Sequence, residues 1–155
     1  MIKNLTGVFL LILLFSSCKN DVVIQDFCSV PNHQWHLDSS CFIQKKISDI
    51  DGTVDFYINI RHANTYKYSN LIVFLKTVAP SRKITVDTIN CIIADDRGKW
   101  LGSGFGDIIE DKVLFKRNVS LPDSGIYLFE ISHGMRDTVL QDIIDIGITI
   151  EKHDN

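Results

Sequence analysis

From Thr53 to His62 apolar and polar residues alternate without a break. Val54, Phe56, Ile58 and Ile60 share one side, and Asp55, Tyr57, Asn59 and Arg61 share the other. Side chains two residues apart lie on one face of an extended chain, so this segment predicts a half-buried strand. Leu71 to Val78 is almost continuously apolar, the composition of a strand covered on both faces. In the next segment Ile84 and Val86 sit on even positions, whereas Ile89, Cys91 and Ile93 sit on odd ones. One strand keeps both sets on the same face only by changing parity, and a bulge near Thr88 is the expected device. Val113, Phe115, Val119 and Leu121 alternate around Arg117, Ile126 to Ser132 is a β-rich run, and Ile146, Ile148 and Ile150 share a face near the C-terminus. No stretch of twelve residues carries a convincing helical period. The candidate exception is Gly134 to Ile144, where Val139, Leu140, Ile143 and Ile144 suit a short helix or an irregular crossover.

Six or seven short strands, separated by Asp-Gly, Pro-Ser, Asp-Arg-Gly and Pro-Asp-Ser-Gly turns, predict an all-β fold. The expected architecture is a β-sandwich of two antiparallel sheets, of jelly-roll or immunoglobulin-like type. Asp123-x-Gly125-x-Tyr127 resembles a tyrosine corner, in which the hydroxyl ties back to the backbone just upstream. A plain turn followed by a core Tyr predicts nearly the same structure.

The N-terminus reads differently. Lys3 is the only charge before residue 19, and behind it Val8 to Phe15 is unbroken VFLLILLF, ending in Ser16-Ser17-Cys18. That is a signal-peptide pattern, and its run is too short to cross a bilayer, which takes about 20 residues. Two small residues directly before a Cys resemble a bacterial lipobox, where the thiol is lipidated and the Cys becomes the new N-terminus. Phe15 stands where Leu is usual. The expected organisation is a lipoprotein signal peptide over residues 1–17, lipidated Cys18 and a tether over 18–34, and a sandwich domain over 35–153. Several acyl chains on Cys18 would hold the membrane firmly, unlike the marginal grip of one.

Composition narrows the partners. The chain has 155 residues, 45% hydrophobic and 23% charged, with 16 Lys and Arg against 19 Asp and Glu and a net charge of −3. There is no basic surplus to neutralise a phosphate backbone, so no nucleic-acid partner is expected.

Candidate chemistry is sparse. Cys28, His33, His36 and Cys41 place four donors within fourteen residues. A Cys28–Cys41 disulfide suits an oxidising compartment; zinc and unpaired thiols are the alternatives, and the spacing fits no familiar zinc framework. Cys91 reads as a small buried hydrophobe. Gly98, Gly102, Gly104 and Gly106 do not follow a dinucleotide-loop spacing and have no helix behind them. In a hairpin they leave a face bare for another backbone or for a lid made by Trp100 and Phe105. Arg61, His62, Tyr66, Tyr68 and Asn70 gather at a strand end, a candidate recognition surface or a polar loop with its tyrosines folded over the core. His133, Arg136 and Asp137 form a second polar group. No nucleophile elbow and no His-Glu-x-x-His motif accompanies them, so no catalytic residues, metal or cofactor are expected, the covalent lipid on Cys18 apart.

Several fragments taken in order carry a resemblance. They are the lipobox-like start, Ile60-Arg61-His62 with Tyr66-x-Tyr68-Ser69-Asn70-Leu71, Ala94-Asp95 leading to Gly98-Lys99-Trp100-Leu101-Gly102-x-Gly104-x-Gly106-Asp107, Gly125-x-Tyr127, Met135-Arg136, and Asp145-Ile146-Gly147-Ile148-x-Ile150-Glu151-Lys152. Together they resemble the GldH family of gliding-motility lipoproteins of the Bacteroidota over about residues 53–152. The chain departs from the family pattern at His133-Gly134, where Gln-Ala is expected, and in its extra cysteines. The resemblance implies a non-enzymatic cell-envelope lipoprotein, with the outer membrane expected in preference to the inner and its periplasmic or surface face left open. Its implied partners are other gliding and secretion lipoproteins and envelope proteins. Arg61, His62, Tyr66, Tyr68, Asn70, Trp100 and Arg136 are the candidate partner-binding residues. The competing reading is a surface module that stacks a ligand or glycan on Trp100 or on the Tyr66/Tyr68 pair. A hydrolase, needing convergent Asp, His and nucleophile, comes third.

Overall fold

The computed structural model of the chain describes residues 21–48 and 50–154. The signal peptide and Cys18 lie outside the described residues. Eleven strands follow in order: β1 (Val22–Ser29), β2 (Gln34–His36), β3 (Cys41–Ile47), β4 (Val54–Ala63), β5 (Asn70–Val78), β6 (Ile84–Ile92), β7 (Ser103–Phe105), β8 (Ile108–Val119), β9 (Gly125–His133), β10 (Val139–Gln141) and β11 (Ile143–Lys152). They build a five-stranded sheet in the order β1-β11-β4-β8-β7, a four-stranded sheet in the order β3-β9-β5-β6, and a two-stranded β10-β2 ribbon.

The fold is a two-sheet antiparallel sandwich. Counting only the eight long strands in chain order, the sheets read 1-8-3-6 and 2-7-4-5. The first strand pairs the last, the second the seventh, the third the sixth, and the fourth the fifth. That is a jelly roll, a long hairpin rolled up on itself, and not the immunoglobulin order.

Inward positions of the alternating strands make the core. Ile58 and Ile60 on β4, Ile146, Ile148 and Ile150 on β11, Leu71 and Leu75 on β5, and Phe129 and Ile131 on β9 are all essentially solvent-free. Burying each such side chain contributes about 1.5–3 kcal/mol. The tyrosine corner is formed: the Tyr127 hydroxyl donates to the Asp123 carbonyl at 2.9 Å.

Three expectations need correction, and a fourth is settled between its alternatives. The domain begins well before residue 35, because β1 pairs with β11 from Val22 onward. Its signal is broken in sequence by Asp26, whose carboxylate pairs with Lys45 on β3 at 2.9 Å. No bulge occurs near Thr88; β6 runs in unbroken register with β5 from Val78↔Ile84 to Asn70↔Ile92. The two parities of β6 are two faces, with Ile89 and Cys91 buried and Ile84, Val86 and Ile92 exposed. Likewise β5 is covered on one face only, since Leu71, Val73 and Leu75 are buried while Phe74 is exposed. Finally, of the two alternatives for Gly134 to Ile144 the short helix does not form and the crossover does, through β10, which pairs Leu140 with Trp35 of β2.

The sheets are held differently at their two lateral edges. Along β1 and β3 they are stapled by a Cys28–Cys41 disulfide and by the Asp26–Lys45 ion pair. Along β6 and β8 the link is Lys116 to Asp87 at 2.6 Å, beside a cavity of about 180 Å³ between the sheets.

Candidate functional site

The candidate recognition residues sit where β4 ends and the chain turns into β5, and alternation separates them. Arg61 points outward from the five-stranded sheet, where its Nε donates to Glu110 at 2.7 Å and its Nη1 to Asp145 at 2.7 Å. Ser29 donates to the other Asp145 oxygen at 2.7 Å, and the guanidinium lies 5.8 Å from the Phe27 ring. This is a satisfied polar network on a half-exposed face.

His62 points the other way and is 0% exposed. Its Nδ1 lies 2.8 Å from the Ala63 carbonyl and its Nε2 3.2 Å from Asp111 Oδ2. Both ring nitrogens therefore face oxygen atoms within hydrogen-bond distance. Trp100 packs edge-on against it at 4.6 Å between centroids, and Tyr66 lies 5.5 Å away. The Tyr66 hydroxyl donates to the Asn70 carbonyl at 3.1 Å, and burial pushes its pKa far up. Tyr68 packs on Tyr66 and donates to Asp137 at 2.7 Å. Asn70 donates to Asn90 at 2.6 Å, and Arg136 stands apart, exposed on the loop before β10.

The structure therefore brings His62, Tyr66, Tyr68 and Trp100 into one cluster, but its centre is inside the fold. His62 and Tyr66 are corrected as partner-contacting residues: His62 holds core parity on β4, Tyr66 folds inward from the turn that follows, and both are buried among aromatic rings. The ligand-stacking reading loses its Tyr66/Tyr68 platform for the same reason. Trp100 is half-buried and caps His62, while Phe105 is 96% exposed and is no lid. The glycines admit backbone, as a β-carbon on Gly104 would collide with the Ile108 carbonyl of the neighbouring β8.

The other sequence candidates resolve simply. Cys28 and Cys41 are joined to each other, and the described residues contain no cluster of three His, Cys, Asp or Glu side chains able to hold a metal. Cys91 is a free, buried thiol whose pKa burial pushes up to about 12. His133, at core parity on β9, is buried against Trp35 with both ring nitrogens unpartnered, and burial lowers its pKa.

Sequence reasoning missed the outer face of the four-stranded sheet. Phe42 on β3, Ile126 on β9, Phe74 on β5, and Ile84, Val86 and Ile92 on β6 are all exposed there. Cross-strand register puts them on one face: Phe42 lies opposite Glu130, Glu130 opposite Lys76, and Lys76 opposite Val86, with the Lys76–Glu130 ion pair between the two apolar residues. The five-stranded sheet instead presents Arg61, Glu110, Lys112 and Glu151 in ion pairs. Among the described residues, the outer face of the four-stranded sheet exposes these large apolar side chains around a Lys76–Glu130 ion pair at 3.2 Å, whereas the outer face of the five-stranded sheet is dominated by ion pairs. The signal was the parity break in β6, which the expected bulge explained away.

The fold and its surfaces define a class: a lone jelly-roll sandwich whose histidine–aspartate chemistry is enclosed and whose one apolar face is turned outward. Comparison with known proteins makes the class specific. The profile of the GldH lipoprotein family matches residues 22–150, and the chain belongs to that family. It is 39% identical to the "Gliding motility lipoprotein GldH homolog" of Christiangramia forsetii, over 93% of this chain and 92% of that protein. It is 33% identical to the "Gliding motility lipoprotein GldH" of Flavobacterium johnsoniae, over 99% of both. No solved structure matches it. Membership makes this chain a lipid-anchored envelope lipoprotein of the gliding-motility type.

Proposed function

We propose that this chain is a non-enzymatic docking component, acylated at Cys18 and held at the envelope, outer membrane rather than inner. It joins other gliding and secretion lipoproteins and envelope proteins through the outer face of its four-stranded sheet. The observation that carries this reading is the apolar face formed by Phe42, Phe74, Ile84, Val86, Ile92 and Ile126. Large apolar side chains exposed together on one sheet face, here around the Lys76–Glu130 ion pair, mark an interaction site. The enclosure of His62 and Asp111, 0% and 7% exposed, supports a role without substrate turnover. Arg61, Tyr68, Asn70, Trp100 and Arg136 belong to the polar rim of the domain and contribute less to docking than the apolar face.

Crosslinking in intact cells followed by purification of the acylated protein tests this. Recovery of envelope motility or secretion components supports the reading, and a clean absence counts against it. In parallel, Cys18→Ala should abolish acyl labelling and shift the protein from the membrane to the soluble fraction. Unchanged fractionation would place the attachment elsewhere.

A further inference from the structure

The cavity between the two sheets lies at the end of the sandwich from which the chain leaves toward Cys18. Its floor is Phe56, Leu75 and Tyr127, buried core residues, and its walls are Phe115, Val119 and Leu121. Thr85 and Asp87 on β6, Lys83 just before it and Lys116 on β8 stand at the mouth, where the sheets are joined by an ion pair and not by a disulfide. At about 180 Å³ it exceeds the roughly 150 Å³ apolar cavity that takes up a benzene-sized hydrocarbon, so it has room for the end of an alkyl chain.

Register fixes where this slot stands relative to the N-terminus. Ile24 on β1 pairs with Ile150, Ile150 with Phe56, and Phe56 with Lys116. The slot is therefore on the same cross-strand row as the start of β1, three strand spacings away, about 14 Å. Cys18 is four residue steps from Val22, a stretch that reaches at most about 14 Å when fully extended. Fully extended, that stretch brings Cys18 close to the mouth, and the length of the acyl chain covers the rest. An acyl chain on that residue would be presented to the slot intramolecularly, at an effective concentration in the millimolar range.

We infer that the slot between β6 and β8 holds one acyl chain of the protein's own N-terminal lipid, while the remaining chains stay in the bilayer. This rests on the acylation of Cys18 proposed above. An apolar, open-ended slot with a half-exposed ion pair at its lip suits a linear hydrocarbon, each inserted methylene strengthening binding about fourfold. The lateral asymmetry of the sandwich also has a purpose on this reading. The disulfide edge fixes the sheets, and the opposite edge admits the chain without disturbing the register.

The test uses the full chain in cells supplied with a fatty acid carrying a diazirine near its methyl end. Intact mass first records whether Cys18 is acylated; an unmodified Cys18 overturns both the anchor and this inference. With acylation present, irradiation should give intramolecular adducts within residues 75–87 and 113–123. Ala79→Trp, which fills the slot, should reduce them at least fivefold while membrane fractionation is unchanged. If that variant melts early, Thr77→Phe fills the same space from β5 with a smaller insertion. Adducts elsewhere on the domain, or adducts insensitive to a folded filling variant, overturn the inference and leave the anchor intact. A second arm exposes Cys18→Ala protein to vesicles of phosphatidylethanolamine bearing the same diazirine. Slot labelling there as strong as in the acylated protein makes a bilayer lipid the occupant and overturns the assignment to the protein's own chain.

Discussion

At the scale of single residues, the cost of polarity inside the core is concentrated in two histidines. His62 is served by Ala63 and Asp111, whereas His133 faces Trp35 with neither nitrogen partnered. Because burial lowers the folded-state pKa of His133, the unfolded chain binds a proton more readily. Its contribution to stability is therefore whole above about pH 6.5 and is lost as pH falls below that value, by at most about 1.4 kcal/mol per pH unit. Urea unfolding at pH 7 and pH 5 should show this loss in the native chain and a smaller one in His133→Gln; identical losses contradict it. The Cys28–Cys41 disulfide closes a loop with a sequence separation of 13. Opening it with Cys28→Ser/Cys41→Ser should cost about 3 kcal/mol, read from the urea midpoint. Cys91 should resist thiol reagents in the native protein and label at once in denaturant, and native labelling would contradict its burial.

At the scale of elements, the informative case is β6. Its two apolar sets looked like one core face interrupted, and a bulge was the economical reading. The register shows an uninterrupted strand with apolar residues on both faces. Period-two patterning places strands well because it depends on side-chain direction alone, and β4, β5, β9 and β11 lie where it predicts them. It says which residues share a face but not what covers that face. For the same reason Arg61 and His62, neighbours in sequence, were grouped as one surface although alternation sends them to opposite sides. β1 escaped notice because an inward Asp26 is tolerated only by virtue of Lys45, a partner remote in sequence. On the outer face, Val86→Lys and Ile84→Lys should change stability by less than about 0.5 kcal/mol, since both side chains are exposed among the described residues. A larger fall in melting stability would mean that the face is structural.

At the scale of the whole molecule, the jelly roll pairs its first strand with its last and places the chain's exit toward Cys18 at one end. On the docking proposal, the outer face of the four-stranded sheet is the surface offered to neighbours. The most direct measurement is quantitative recovery of crosslinked envelope partners by three forms of the acylated protein. They are the native chain, a Phe74→Lys/Val86→Lys variant, and an Arg61→Ala/Arg136→Ala variant, all checked for equal folding and membrane content. Recovery should fall at least tenfold in the sheet-face variant and stay within twofold of native in the arginine variant. Undiminished recovery from the sheet-face variant, or loss confined to the arginine variant, would contradict docking through the four-stranded sheet.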